Sequence, residues 1–248
     1  MAERRGTVFL LLGMLAWVIA AFAVALAAAA VLGVASVVVR RLPGLGFVSA
    51  PSSVVYILVA AAAFQGTLLL AASRQGRLAG GGDRSVGLGA GPIRNVRQVA
   101  LLCVVIIVWL LAIVLLAARS PALREFAKSV TPDVLSRLGH GGPAAVVLQV
   151  MLVVVLAPVS EELFFRGWLW EACRRRGNSI AATAWLTATP WLLLHGIDSP
   201  RRILFLLPAA VVLSLARYQG GGVLASLAVH ITNNTTAALM QAFAALVE

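Results

Sequence analysis

The chain has 248 residues, of which 61% are hydrophobic and only 12% charged, and its mean hydropathy is +0.97. Soluble domains are about a quarter charged, so this composition excludes a soluble globular domain and predicts an integral membrane protein. The formal net charge of +11 comes with no basic-aromatic surface and no nucleic-acid-binding module, which excludes nucleic acid as a partner. Cys103 and Cys173 form no C-x-x-C pair and predict neither a disulfide framework nor a structural zinc site.

Apolar runs separated by short arginine-containing segments predict an all-α, polytopic bundle of about seven transmembrane helices. The first run is too long for the core of a secretory signal and is interpreted as a retained span. The predicted spans are 7–39, 54–72, 98–118, 143–170, 180–195, 203–216 and 222–247.

Two of the connecting segments are long enough to interpret. Segment 73–97 is rich in glycine and arginine, but it lacks the preceding strand and the Lys-Ser/Thr pair of a phosphate-binding loop, so it predicts a flexible connector. Segment 119–142 places its apolar residues near one helical face and predicts an interfacial helical segment.

Ionisable side chains inside a bilayer are costly, and they are functional candidates for that reason. Three sets occur within apolar runs: Glu161, Glu162 and Arg166; His195; and His230 with Asn234. Glu162 and Arg166 are four residues apart, so they share a helix face and are predicted to pair. Glu161 lies about 100° away around the helix. It is therefore the freer carboxylate and a candidate general base.

The depth of these residues in the membrane predicts that they meet. Glu161 lies roughly 20 Å before the arginine-rich turn that follows its helix, and His195 lies roughly 24 Å after it. His230 and Asn234 lie roughly 12–18 Å below a glycine turn that we place on the same side. Taken singly, an intramembrane histidine or a Glu–Arg pair can simply join two helices. Their convergence favours one cavity with a function.

Three motifs in this order resemble a known family. P-x-x-E-E-x-x-x-R-G, an aromatic residue with histidine four positions later, and H-x-x-x-N resemble the CPBP intramembrane proteases. That group holds the Rce1-type CAAX prenyl endopeptidases and the bacterial Abi proteins. The matching residues are Pro158, Glu161, Glu162, Arg166, Gly167, Trp191, His195, His230 and Asn234. Trp191 stands where the family usually has phenylalanine. Because both are large aromatics, we expect the chemistry to be unchanged.

The resemblance implies a single membrane-embedded domain, 1–248, with a CPBP-like catalytic core at 143–248. Residues 1–142 would supply spans and loops without motifs. It implies hydrolysis of peptide bonds in membrane-associated peptides or proteins. Glu161 would activate a water that His195 helps to hold. His230 and Asn234 would steady the oxyanion or share in the water site. The supporting residues would be Glu162, Arg166 and Trp191.

The resemblance leaves a metal open, because the family is commonly called metalloproteases. Glu161, His195 and His230 would be the ligands of a zinc ion, which two histidines and a glutamate suit. The chain lacks an H-E-x-x-H motif, and none of the neighbouring polar residues Thr187, Thr189, Thr232, Asn233 and Asn234 is a carboxylate that could fix a second ring nitrogen. A metal-free glutamate mechanism is therefore favoured over a bound zinc.

Two other functions fit the same residues. A non-catalytic membrane immunity or scaffold protein would need the Glu162–Arg166 pair but not Glu161. A transporter would place intramembrane carboxylates along a continuous polar path. The expected partners are membrane lipid and a peptide or protein substrate, and the expected location is a prokaryotic cell membrane. Nothing in the sequence indicates a prenylated substrate.

Overall fold

The computed structural model describes residues 2–41, 53–79, 88–130, 142–196 and 199–247. These residues form helices and turns without a strand, which confirms the all-α class. The helices are α1 (Ala2–Arg41), α2 (Ser53–Ala79), α3 (Val96–Arg119), α4 (Pro121–Val130), α5 (142–175), α6 (Ile180–Gly196), α7 (Pro200–Gln219) and α8 (Val223–Val247). Helix α4 occupies part of the segment predicted to be interfacial, whereas 131–141 and residues 80–87 of the glycine-rich connector lie outside the described residues.

Five of the described helices are long and apolar enough to cross a membrane. Their qualifying ranges are Gly6–Val39, Val55–Ala79, Val96–Arg119, Ala144–Arg175 and Pro200–Gln219. Large apolar side chains such as Phe9, Leu26 and Leu70 are exposed on them, which fits a surface covered by lipid. Helix α6 has 17 residues, at the short end of what a span needs. The number of seven spans stays a prediction.

Helix α5 contains two π-helical stretches, one on each side of Pro158. Gly142–Met151 is α-helical, Leu152–Leu156 is π-helical, Ala157–Glu161 is α-helical, and Glu162–Leu169 is again π-helical before the helix ends at Arg175. Proline has no N–H to donate to the helix ladder, and π-helical turns are frequent at functional sites. Side chains of other helices bind carbonyls in both π-helical stretches: Arg217 Nε donates to the Arg166 carbonyl at 2.8 Å and Asn234 Nδ2 to the Val153 carbonyl at 2.8 Å.

Helix α5 lies at the centre of the bundle. It contacts α2, α6 and α8, while α1 packs on α2, α3 on α8 and α7 on both α6 and α8. Phe164, Phe165 and Leu169 of α5 are fully buried. The polar residues of α5 therefore face other helices rather than lipid.

A glycine turn sets the start of α8. The Val223 N–H donates to the Gly89 carbonyl at 3.0 Å, and the Arg94 N–H donates to the Gly220 carbonyl at 2.9 Å. Gly221 has a φ of +75°, a conformation that residues with a Cβ rarely adopt. These contacts fix α8, which carries His230 and Asn234, against the rest of the bundle.

Candidate active site

One cavity of about 330 Å³ within the bundle receives all four residues that the sequence proposed for catalysis. Glu161 from α5, His195 from α6, and His230 and Asn234 from α8 lie in its wall. Helices α2, α3 and α7 contribute other lining residues, including Gln65, Trp109 and Arg202. Water fits in a cavity of this size where polar groups are present to bind it.

The Glu161 carboxylate is held on both oxygens. Oε1 accepts a hydrogen bond of 3.1 Å from Gln65 Nε2, and Oε2 accepts one of 2.7 Å from Trp191 Nε1. Only 4% of the residue is exposed. Glu161 has no ion pair with Arg166, as expected, and its two oxygens are bound instead by uncharged donors. Side chains from α2 and α6, distant in sequence, orient it.

His195 faces this carboxylate with its Nε2. Nδ1 lies 2.9 Å from the Trp191 carbonyl, and because a carbonyl only accepts, Nδ1 carries the hydrogen. The Nε2 of a neutral ring is then an acceptor, and it lies 3.6 Å from Glu161 Oε2. Two acceptors at this distance repel unless a donor lies between them. A water molecule with two hydrogens meets that requirement.

Glu162 is the centre of a second buried cluster. Its Oε1 accepts from Arg166 Nη1 at 3.1 Å and lies 2.9 Å from His230 Nδ1. The predicted pairing of Glu162 with Arg166 is therefore present, and both residues are fully buried. Because a carboxylate accepts, His230 Nδ1 carries the hydrogen and Nε2 of the neutral ring is an acceptor.

The ion pair is incompletely hydrogen-bonded within the described part of the chain. Glu162 Oε2 and Arg166 Nε and Nη2 are buried there without a hydrogen-bond partner. The guanidinium carbon of Arg166 lies 4.8 Å from the centroid of the Trp191 ring, a distance at which a cation is attracted to an aromatic face. Because burial removes both charges from water at a high cost in free energy, loss of one charge would make the other strongly destabilising.

Trp191 joins the two clusters. Its ring centroid lies 4.4 Å from that of His195 and 5.8 Å from that of His230. Its N–H binds Glu161, and a phenylalanine has no such donor. Trp191 therefore differs from a phenylalanine in its hydrogen bonding to the site, whereas the expectation of unchanged chemistry stays a prediction.

Asn234 is oriented by two neighbours. Nδ2 donates to the Val153 carbonyl at 2.8 Å, and Oδ1 accepts from Asn233 Nδ2 at 2.9 Å. An amide nitrogen carries two hydrogens. Asn234 donates one of these hydrogens to the Val153 carbonyl. The second hydrogen is the one that can bind a ligand in the cavity.

Gln65 is the site residue that sequence reasoning missed. It is a buried residue of α2, in the region where no motif was found. Its side chain is uncharged, so the criterion of an ionisable group within an apolar run does not select it. A glutamine within an apolar run is nevertheless a polar group that needs a buried partner. Together with Glu161 and His195, Gln65 also lines a second cavity of about 420 Å³ beside α1 and α2.

A zinc ion at this site would need Glu161, His195 and His230 as its ligands. Both histidines have Nδ1 bound to a second group, one of them the Glu162 carboxylate. This is the arrangement that metal-binding histidines have, so the expectation that no carboxylate supports them is wrong. However, no group of three His, Cys, Asp or Glu side chains within the described ranges is arranged to hold a metal ion. Both Glu161 oxygens also already accept hydrogen bonds. The residues as placed do not fit a three-ligand zinc site.

Part of the chain matches a known protein family. Residues 143–236 match the family model described as Type II CAAX prenyl endopeptidase Rce1-like. The chain contains an Rce1-like domain. This domain holds α6, α7, most of α5 and the part of α8 that carries His230 and Asn234. Over these residues the match agrees with the suspected family, and it indicates a CAAX endopeptidase-type hydrolase. With five apolar helices, the Rce1-like assignment supports an integral membrane protein. No curated protein and no solved structure matches the chain.

Proposed function

We propose that this protein is an intramembrane endopeptidase in which Glu161 activates water to hydrolyse peptide bonds of membrane-associated peptides or proteins. The observation that carries the proposal is the 3.6 Å separation between Glu161 Oε2 and the acceptor nitrogen of His195, at the wall of a cavity inside the bundle. A water that donates one hydrogen to each group is held with its oxygen directed away from both. Residues 143–248 form the catalytic core of this proposal, with α2 completing it.

The proposed reaction needs only the protons of one water. As the water oxygen attacks the peptide carbonyl, one of its protons passes to the Glu161 carboxylate, which acts as general base. The carbonyl oxygen becomes an oxyanion. When the C–N bond breaks, Glu161 returns the proton to the leaving nitrogen. The products are a carboxylic acid and an amine, and the carboxylate of Glu161 is regenerated.

The hydrogen-bond directions divide the roles of the two residues on α8. His230 donates from Nδ1 to Glu162, and in the neutral ring its Nε2 is an acceptor, which does not suit it to bind an oxyanion. Asn234 has a second N–H, and its amide is fixed by Val153 and Asn233. Preorganised donors of this type are effective where bulk water is excluded. We therefore assign the oxyanion to Asn234.

The support around Glu161 favours this reaction over an immunity or scaffold role. A scaffold needs the Glu162–Arg166 pair to hold helices together, but it does not require Glu161. Instead, two helices each supply one N–H to Glu161. An oriented carboxylate at a cavity wall is what a general base requires.

The proposal is tested by comparing membrane peptides from cells that carry wild-type protein or Glu161→Ala. The matched control is Glu125→Ala, which removes an exposed glutamate of α4. We expect uncleaved peptides to accumulate with Glu161→Ala and not with the control. Identical peptide profiles for all three strains, at equal protein levels in the membrane, would contradict the proposal.

A further inference from the structure

We propose that Gln65 is a positioning residue for the Glu161 carboxylate, and that α2 is therefore part of the catalytic unit. The inference rests on the proposed role of Glu161 as general base. Gln65 lies outside the residues that match the family, 143–236. Gln65 also belongs to none of the three motifs that resemble the family.

Gln65 is a polar residue on the buried face of α2, the face that also holds Leu68 and Ala72. It is only 9% exposed, whereas Leu70 on the same helix is 63% exposed. Its amide binds two consecutive residues of α5. Nε2 donates to Glu161 Oε1 at 3.1 Å, and Oε1 accepts a short hydrogen bond from Ser160 Oγ. One side chain of α2 therefore binds both Ser160 and Glu161, the residue that carries the reactive carboxylate.

The chemistry of the partners fixes which way the amide points. An ionised carboxylate can only accept, so the NH₂ end of Gln65 must face Glu161. The carbonyl end then faces Ser160, whose hydroxyl can donate. The reverse orientation would place two oxygen acceptors against each other. The Glu161 carboxylate therefore selects the amide orientation, and the Ser160 hydroxyl holds the amide in it.

Gln65 and Trp191 bind different oxygens of the same carboxylate. With a donor on each oxygen, rotation of the carboxyl group about its last bond is restrained from both sides. Oε2 is thereby kept toward His195. Loss of Gln65 leaves only the Trp191 hydrogen bond to oppose this rotation. A general base that turns away from its water loses reactivity without losing the substrate-binding surface.

The test uses purified protein in detergent and a peptide substrate identified from the Glu161→Ala comparison. Gln65→Leu keeps the size of the side chain and removes both amide groups. We expect kcat to fall on the order of 10–100-fold, because small misplacements of a catalytic group have effects of this size. KM should stay near the wild-type value, as for an interaction that matters only in the transition state. Thr67→Val is the matched control, because Thr67 binds only a carbonyl of its own helix, that of Ala63.

The outcomes separate this inference from the proposed function. A wild-type kcat for Gln65→Leu, alongside an inactive Glu161→Gln, overturns the inference alone. A loss of folded protein with normal kcat in the folded fraction also overturns it, since a residue that only joins helices gives that result. If Gln65→Leu does not fold, Ser160→Ala decides: a lowered kcat supports the inference and an unchanged kcat overturns it. An active Glu161→Gln contradicts the proposed function itself.

Discussion

Removal of the negative charge at position 162 should destabilise the protein strongly. Glu162→Gln keeps the shape of the side chain and one acceptor oxygen, but Arg166 loses the only negative group with which it forms an ion pair in the described residues. Arg166 is fully buried, and two of its nitrogens already lack hydrogen-bond partners there. The variant therefore leaves an almost uncompensated buried charge.

The size of the effect follows from this burial. Breaking a buried ion pair by removing one partner costs about 3–5 kcal/mol. In a protein of this size, 1 kcal/mol shifts the midpoint of thermal unfolding by about 2–4 °C. We therefore expect the midpoint of Glu162→Gln to fall by about 6–20 °C. Activity should fall too, because His230 Nδ1 donates to the same oxygen.

The measurement is thermal unfolding of purified protein in detergent, and the double variant Glu162→Gln/Arg166→Met is the control. Removal of both charges leaves no buried ion, so the double variant should be more stable than Glu162→Gln alone. A midpoint for Glu162→Gln equal to that of the wild type would refute the argument. So would a double variant that loses as much stability as the two single variants together.

Three further changes should affect activity. Trp191→Phe removes the N–H that binds Glu161, a loss of about 1.5–3 kcal/mol, so kcat should fall on the order of 10–100-fold; an unchanged kcat would show that the hydrogen bond is dispensable. Asn234→Ala should lower kcat on the order of 100-fold as the oxyanion donor, with Asn233→Ala as the milder control; equal effects would contradict this assignment. Activity should persist after thorough chelation, and one zinc per chain that restores lost activity would overturn the metal-free reaction.

The parts of the fold that depend on local pattern could be predicted from the sequence. Apolar runs of span length gave the helical class, and the four-residue spacing of Glu162 and Arg166 gave their ion pair. Helix periodicity supplies both, because side chains four apart lie on one face. The rise per residue of a helix and the positions of two turns also predicted that Glu161, His195 and His230 lie at a similar depth. In the structure all three residues line one cavity.

The partners of the site residues could not be predicted, because they depend on packing between helices. Gln65 reaches Glu161 across 96 positions of sequence, and Glu162 supports His230 across 68. No local pattern indicates which faces of α2 and α5 meet. The role of Trp191 depends on where its indole N–H points. For the same reason, the sequence neighbours of the two histidines did not indicate which groups orient them.

The central claim is that the Glu161 carboxylate is the general base. The most direct measurement is the kcat of purified Glu161→Gln on a peptide cleaved by the wild type, together with its thermal midpoint. An amide cannot take the proton of water, so kcat should fall on the order of 100-fold or more, while the midpoint stays close to that of the wild type. A folded Glu161→Gln that cleaves the peptide at the wild-type rate would contradict the account.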